Sequence, residues 1–183
     1  MKPHTFVVTV EDQPGVLNRV SSLVRRRGYN IDSLTVGHTE RPGVSRMTLV
    51  VQSDDAGAHR IEANLYKLVN VISVTDLTST AAVYRDLAMI KVAATQAHRP
   101  EIVHLVEVFR ARIVDLAPDS LTIEITGAEE KIDGLLEVLR PYGVLEVART
   151  GRVAMARGAR LPAAAVEPAA GPESHESHVS YSV

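Results

Sequence analysis

The chain has no cysteine and no tryptophan, and only 4% of its 183 residues are aromatic. Without cysteine there can be no disulfide, no thiolate metal site and no cysteine nucleophile. With so few rings, the core must be built from Val, Leu, Ile and Ala. Hydrophobic residues still make up 45% of the chain, an ordinary share for a globular protein, and the β-branched content favours sheet. The formal net charge is only −2, so the basic footprint of a general nucleic-acid binder is missing. No apolar run approaches the roughly 20 residues of a membrane span. Met1-Lys2-Pro3-His4 runs straight into a strand pattern, which leaves no room for a signal or transit peptide. These absences lead to the expectation of a soluble cytoplasmic protein. Catalytic signatures are missing too: there is no Gly-x-Ser-x-Gly, no phosphate loop, no His-Glu-x-x-His and no Gly-x-Gly-x-x-Gly. The seven histidines, His38, His59, His98 and His104 among them, show no ligand spacing.

What is present is periodicity. Thr5 to Val10 alternates, with Phe6, Val8 and Val10 on one face, and predicts a strand. Val16, Leu17, Val20, Leu23 and Val24 fall on one helical stripe. Arg25-Arg26-Arg27 suits the negative end of that helix, and Gly28 its C-terminal cap. A strand from Ile31 to Val36 follows, then a Pro42-Gly43 turn and a strand carrying Met47, Leu49 and Val51. A helix with Ile61, Leu65 and Leu68 and a strand from Val69 to Leu77 complete the set. The order is β-α-β-β-α-β, the ferredoxin-like arrangement of one sheet with two helices on one face.

After a small-residue joint, Thr78 to Val83, the pattern recurs. Strands are expected at Leu87–Ala93, Ile113–Leu116, around Leu121, Ile123 and Ile125, and at Val144–Ala148. Helices are expected over Ile102–Phe109 and Ile132–Leu139. The fold class is therefore α+β, with units at residues 4–79 and 84–159. From about Leu161 the composition turns to Pro, Ala, Gly, Ser and Glu, so 160–183 is expected to be a disordered tail, with His175 and His178 as solvated tail histidines.

The turn around Asp12 and Pro14-Gly15 opens the first helix. Proline fits a helix start and glycine tolerates unusual φ, so this is a plain strand-to-helix turn on one reading. On the other, glycine lets a ligand carboxylate approach the free amides of Gly15 and Val16. Asp12 is either a helix N-cap or an acceptor for a ligand ammonium. Asn30 is either a turn residue or, with an amide that donates and accepts, a bridge to a ligand. The two turns are expected at the same end of the first helix–strand pair, as a pocket for a small amino acid. Arg46, Lys67, Arg110, Arg112 and Arg149 read as ordinary surface charges.

Three strings carry a resemblance: Glu11-Asp12-Gln13-Pro14-Gly15-Val16-Leu17-Asn18-Arg19-Val20, Arg27-Gly28-Tyr29-Asn30-Ile31-Asp32-Ser33-Leu34-Thr35-Val36 and Ser45-Arg46-Met47-Thr48. Together with Leu68-Val69-Asn70-Val71, Phe109-Arg110-Ala111, Ile113-Val114-Asp115 and Val147-Ala148-Arg149-Thr150-Gly151, they resemble the small regulatory subunit family of acetolactate synthase (acetohydroxyacid synthase) from about Thr5 to Gly158. The first string also has the acid-x-x-Pro-Gly-x-Leu element of ACT domains.

The resemblance implies an N-terminal ACT domain that forms a homodimer. A feedback inhibitor, valine or another branched-chain amino acid, would sit between the chains, facing Asp12, Gly15, Val16 and Leu17 of one and Asn30 and Ile31 of the other. The family often has Asn where this chain has Asp12, whose charge suits a ligand ammonium and repels a carboxylate. The second unit would help to engage the large catalytic subunit, and that partner would carry thiamine diphosphate, Mg²⁺ and FAD, with no cofactor in this chain. A freestanding ACT-type sensor of another enzyme is the alternative. An RNA-binding module shares the strand order but needs stacking aromatics, and Phe6 and Phe109 are the only phenylalanines.

Overall fold

The computed structural model describes residues 1–158; the expected tail at 160–183, with His175 and His178, lies outside the described residues. In the first unit, β1 (Lys2–Glu11), α1 (Val16–Arg26), β2 (Ile31–His38), β3 (Val44–Ser53), α2 (Asp55–Leu65) and β4 (Val71–Asp76) follow in order. The sheet order is β2-β3-β1-β4, with antiparallel neighbours. Because strand side chains alternate between faces, Phe6, Val8 and Val10 meet Met47, Leu49 and Val51 under the helices. Val16, Val20 and Val24 of α1 and Ala58, Ile61 and Leu65 of α2 close that core. Each fully buried Val, Leu or Ile stabilises it by about 1.5–3 kcal/mol. Asp54 caps α2, its carboxylate accepting from the Gly57 amide at 2.7 Å.

The second unit repeats the order with β5 (Ala82–Ala93), α3 (Arg99–Val108), β6 (Arg112–Leu116), β7 (Ser120–Gly127), α4 (Glu129–Leu139) and β8 (Val144–Arg149). Its sheet runs β6-β7-β5-β8, over a core of Ile90, Ile102, Ile123, Ile132 and Leu135. The two units turn the same corner after their first helices. The Tyr29 amide donates to Val24 O at 3.3 Å and the Ala111 amide to Val106 O at 2.9 Å, the six-residue closure of a Schellman cap. The residue that takes positive φ is Gly28 (+78°) in the first unit and Arg110 (+51°) in the second.

Two features depart from the expected pattern. β5 begins at Ala82 rather than Leu87, and a short β9 (Val153–Ala156) pairs with its first turn of chain, Ala82–Arg85. Residues expected to be a joint are thus partly strand. Ala154 of β9 is buried with Val7 and Leu77, on the face of the first sheet that the helices leave open. Four residues are too few for periodicity to reveal, and what orders β9 is this contact with residues far away in sequence. Among the described residues, no helix is long and apolar enough to cross a membrane.

Candidate functional site

The helix α1 starts at Val16, with Gly15 as its N-cap at φ +84° and no side chain capping it. Asp12 lies too early to cap, which settles that alternative: its Oδ1 accepts from Ser45 Oγ at 3.2 Å, and its Oδ2 lies 3.3 Å from His38 Nδ1. The Val16 amide donates to Gln13 O at 3.3 Å and the Arg19 amide to Gly15 O at 3.0 Å. The Leu17 and Asn18 amides, also in the first turn, have no acceptor among the described residues. First-turn amides and the helix dipole together favour an anion, and a Cβ built on Gly15 would meet nothing within 4 Å. The approach to this helix end is open.

Asn70 supports the turn from below. Only 6% exposed, it donates from Nδ2 to Glu11 Oε2 at 2.7 Å and accepts from Arg19 Nη1 at 2.7 Å, and its carbonyl accepts the Glu11 amide at 2.9 Å. It thereby ties the end of β1 and the first turn of α1 to the start of β4. Sequence reasoning assigned no role to Asn70 or Arg19; the only signal was an asparagine within the strand expected from Val69, which in the structure begins at Val71.

Asn30 lies at the other end of α1, which corrects the expectation that the two turns share an end. Since β1 and β2 are both antiparallel to β3, they run parallel, and the start of β2 lies opposite Val51 while the end of β1 lies opposite Val44. The 11 residues of α1 separate the two turns by about 16 Å, far beyond the reach of one amino-acid head group. Asn30 is exposed and donates from Nδ2 to Asp32 Oδ1 at 3.1 Å. With Asn18, Ser21, Ser22, Arg25, Tyr29 and Ile31 it lines a shallow groove of about 380 Å³ beside α1. Of the apolar residues expected at the site, Leu17 is 43% exposed and Ile31 half-buried, whereas the Val16 side chain is turned into the core and its amide, expected to be free, is taken by Gln13 O. Among the described residues, no group of three or more His, Asp or Glu side chains is placed to hold a metal ion.

One of the arginines read as surface charges is not. Arg46 is half-buried and donates from Nη2 to Ala154 O at 2.6 Å, across the seam between the units. Arg149 is exposed and forms a surface pair with Asp133 of α4.

Comparison with known proteins places this geometry in context. Residues 6–73 match a family model described as the AHAS small subunit-like ACT domain, and residues 85–158 one described as the small subunit of acetolactate synthase. A probable acetolactate synthase small subunit of Methanothermobacter thermautotrophicus is 49% identical over 163 residues, covering 87% of this chain and 97% of that protein. The acetolactate synthase small subunit of Mycolicibacterium smegmatis is 50% identical over 157 residues, covering 86% and 92% respectively. The crystal structure of the acetolactate synthase small subunit from Thermotoga maritima superposes with a TM-score of 0.81 at 41% identity, covering 87% of this chain and all of that one. With its ACT unit, its second ferredoxin-like unit and relatives aligned across both, the chain belongs to the acetolactate synthase small-subunit family.

Proposed function

We propose that the chain is a non-catalytic regulatory subunit that activates the catalytic subunit of acetolactate synthase and makes it sensitive to valine. The observation that carries this is the placement of two complementary half-sites, an uncapped helix N-terminus at Gly15 and an exposed amide at Asn30, at opposite ends of α1 along the free edge of the sheet. β2 is that edge strand, and its outward backbone groups are open to pairing. A second copy added across β2 by a two-fold axis sets the two α1 helices antiparallel. The Gly15 turn of one chain then meets Asn30 and Ile31 of the other, and each dimer gains two composite pockets.

In such a pocket the first-turn amides hold the ligand carboxylate, and Asp12 and Asn30 accept from its ammonium. Leu17 and Ile31 cover a branched side chain. One methyl more or less in an apolar pocket changes affinity by only about 1–3 kcal/mol, so leucine and isoleucine compete measurably with valine. A pocket split between chains is sensitive to how the chains sit, and regulation requires the effector to bind one arrangement better than another. The condensation of pyruvate, and the thiamine diphosphate, Mg²⁺ and FAD that go with it, belong on this reading to the catalytic partner.

Reconstitution tests the proposal. Mixing the purified chain with its catalytic subunit is expected to raise the rate of acetolactate formation, and added valine to lower it. No rise on mixing removes the activator role, and a rise that valine leaves untouched removes the effector assignment.

A further inference from the structure

The loop from β8 to β9 crosses the open face of the first sheet, and one residue in it touches four elements. The Arg152 amide donates to Ser33 Oγ at 2.8 Å, and its carbonyl accepts from Thr35 Oγ1 at 3.0 Å, so its backbone is fastened to two successive same-face positions of β2. Its guanidinium donates from Nη1 to Thr5 Oγ1 of β1 at 3.2 Å and from Nη2 to Glu129 Oε2, the first residue of α4, at 2.8 Å. The same group lies 5.3 Å from the centre of the Tyr84 ring of β5, and the Tyr84 hydroxyl donates to Leu77 O at 2.7 Å.

We infer that Arg152 is the positioning residue that passes the state of β2, and with it the Asn30–Ile31 half-site, to the second unit. This rests on the effector reading above for what moves β2, but not for the mechanical link itself. Three observations support the link. First, the pairing of β2 with β3 slips between Ile31 and Ser33. The bulge at Asp32 therefore lies between the half-site and the first Arg152 contact, where a strand adjusts most easily. Second, Gly151 has φ +85°, and a Cβ there would lie 2.5 Å from Ser33 Oγ, so the backbone is pressed against β2 at a place that only glycine permits. Third, the Arg152 side chain is only 20% exposed and divides its donors between the two units. A planar fork with several fixed donors does this, and a single ammonium does not. A ligand that shifts Ile31 shifts Ser33, and Arg152 carries the shift to the N-terminus of α4.

Amide hydrogen exchange on the full chain, with and without valine, tests the link. In the ligand-free chain, Arg152→Met is expected to speed exchange of the β2 amides Ser33–Val36 at least threefold while leaving β7 unchanged. Glu129→Gln, a change in the other unit, is expected to act on β2 in the same direction by a smaller factor. General destabilisation would speed β7 as well, and a Lys substitution that restored β2 protection would show that charge without the fork suffices; either result overturns the inference. With valine, the parent is expected to gain protection at the start of α4, and Arg152→Met to lose that gain while its calorimetric dissociation constant for valine stays within threefold. Retained protection of α4 in the variant also overturns the inference. If the parent binds no valine, the effector reading fails and the ligand-free exchange alone decides the link.

Discussion

Replacing Gly15 with aspartate separates what glycine does for the fold from what it does for a ligand. With φ at +84°, Gly15 occupies a left-handed conformation that costs an L-residue about 1–2 kcal/mol. Removing glycine's freedom from the unfolded chain returns about 0.4–1 kcal/mol, so the net loss of stability is about 1 kcal/mol. For a unit of this size that lowers the melting temperature by about 4–8 °C. A Cβ at Gly15 meets nothing within 4 Å among the described residues, so sterics there add no further loss. Ligand binding is affected far more. Hydrogen bonds from main-chain amides to a charged carboxylate contribute about 1.5–3 kcal/mol each. On the function proposed above, losing two of them to the new side chain is expected to weaken valine binding by about two to four orders of magnitude, at about 1.4 kcal/mol per tenfold. Gly15→Ala, which brings the strain without the charge, is expected to show the same melting shift and a smaller loss of affinity. The checks are thermal melts and calorimetric titration of valine. An aspartate variant that melts lower yet binds valine as the parent does would refute the placement of the carboxylate.

Two further substitutions test other parts of the structure. Asp86 is 7% exposed with a buried Oδ1 lacking a partner among the described residues. Burial pushes its carboxyl above the ordinary range, more than the attraction of Arg152 pulls it down. A raised folded-state pKa stabilises the fold only while the group is protonated, and that contribution is lost as pH rises through the raised value. Asp86→Asn is therefore expected to be more stable than the parent at pH 7, with the difference closing toward about pH 4, near the ordinary aspartate value; chemical denaturation at both pH values checks this, and a less stable variant at pH 7 refutes it. Arg110 holds φ +51° where the first unit has Gly28. Arg110→Gly relieves about 1–2 kcal/mol of strain against about 0.5–1 kcal/mol of added chain entropy, so urea titration is expected to show a gain of about 0.5–1 kcal/mol with an unchanged m value. A loss of stability would mean that the arginine side chain makes a stabilising contact.

The architecture was legible because both units obey one local rule. Phe6, Val8 and Val10 in one unit and Leu121, Ile123 and Ile125 in the other fall at every second position, and their helices repeat at three and four residues. Period alone distinguishes such elements. The turn chemistry was legible at Gly28, where a helix ends on a left-handed residue, but not at Arg110, where the same backbone is held by a residue that does not advertise it. β9 was illegible for another reason: Val153 and Met155 point outward, 49% and 63% exposed, and only Ala154 is buried. One small buried side chain makes no pattern, and the hydrogen bonds that hold the segment reach back to Ser33, Thr35 and Arg46.

The candidate site shows where local reading stops. Gly15 and Asn30 were recognisable as turn residues with ligand-binding chemistry, but their relation follows from strand direction, which the order of elements determines and residue types do not. Because β1 and β2 run parallel, any helix joining them must carry the chain from the end of one strand back to the start of the next. The two turns of a β-α-β unit therefore always lie at opposite ends of the helix, and groups divided between them can close on one small molecule only if another polypeptide supplies the missing half. An exposed strand edge beside that helix gives a second copy a place to add. In the dimer proposed above, a two-fold axis that pairs the edges would also bring unlike helix ends together, so the topology that splits the site within one chain would reassemble it twice.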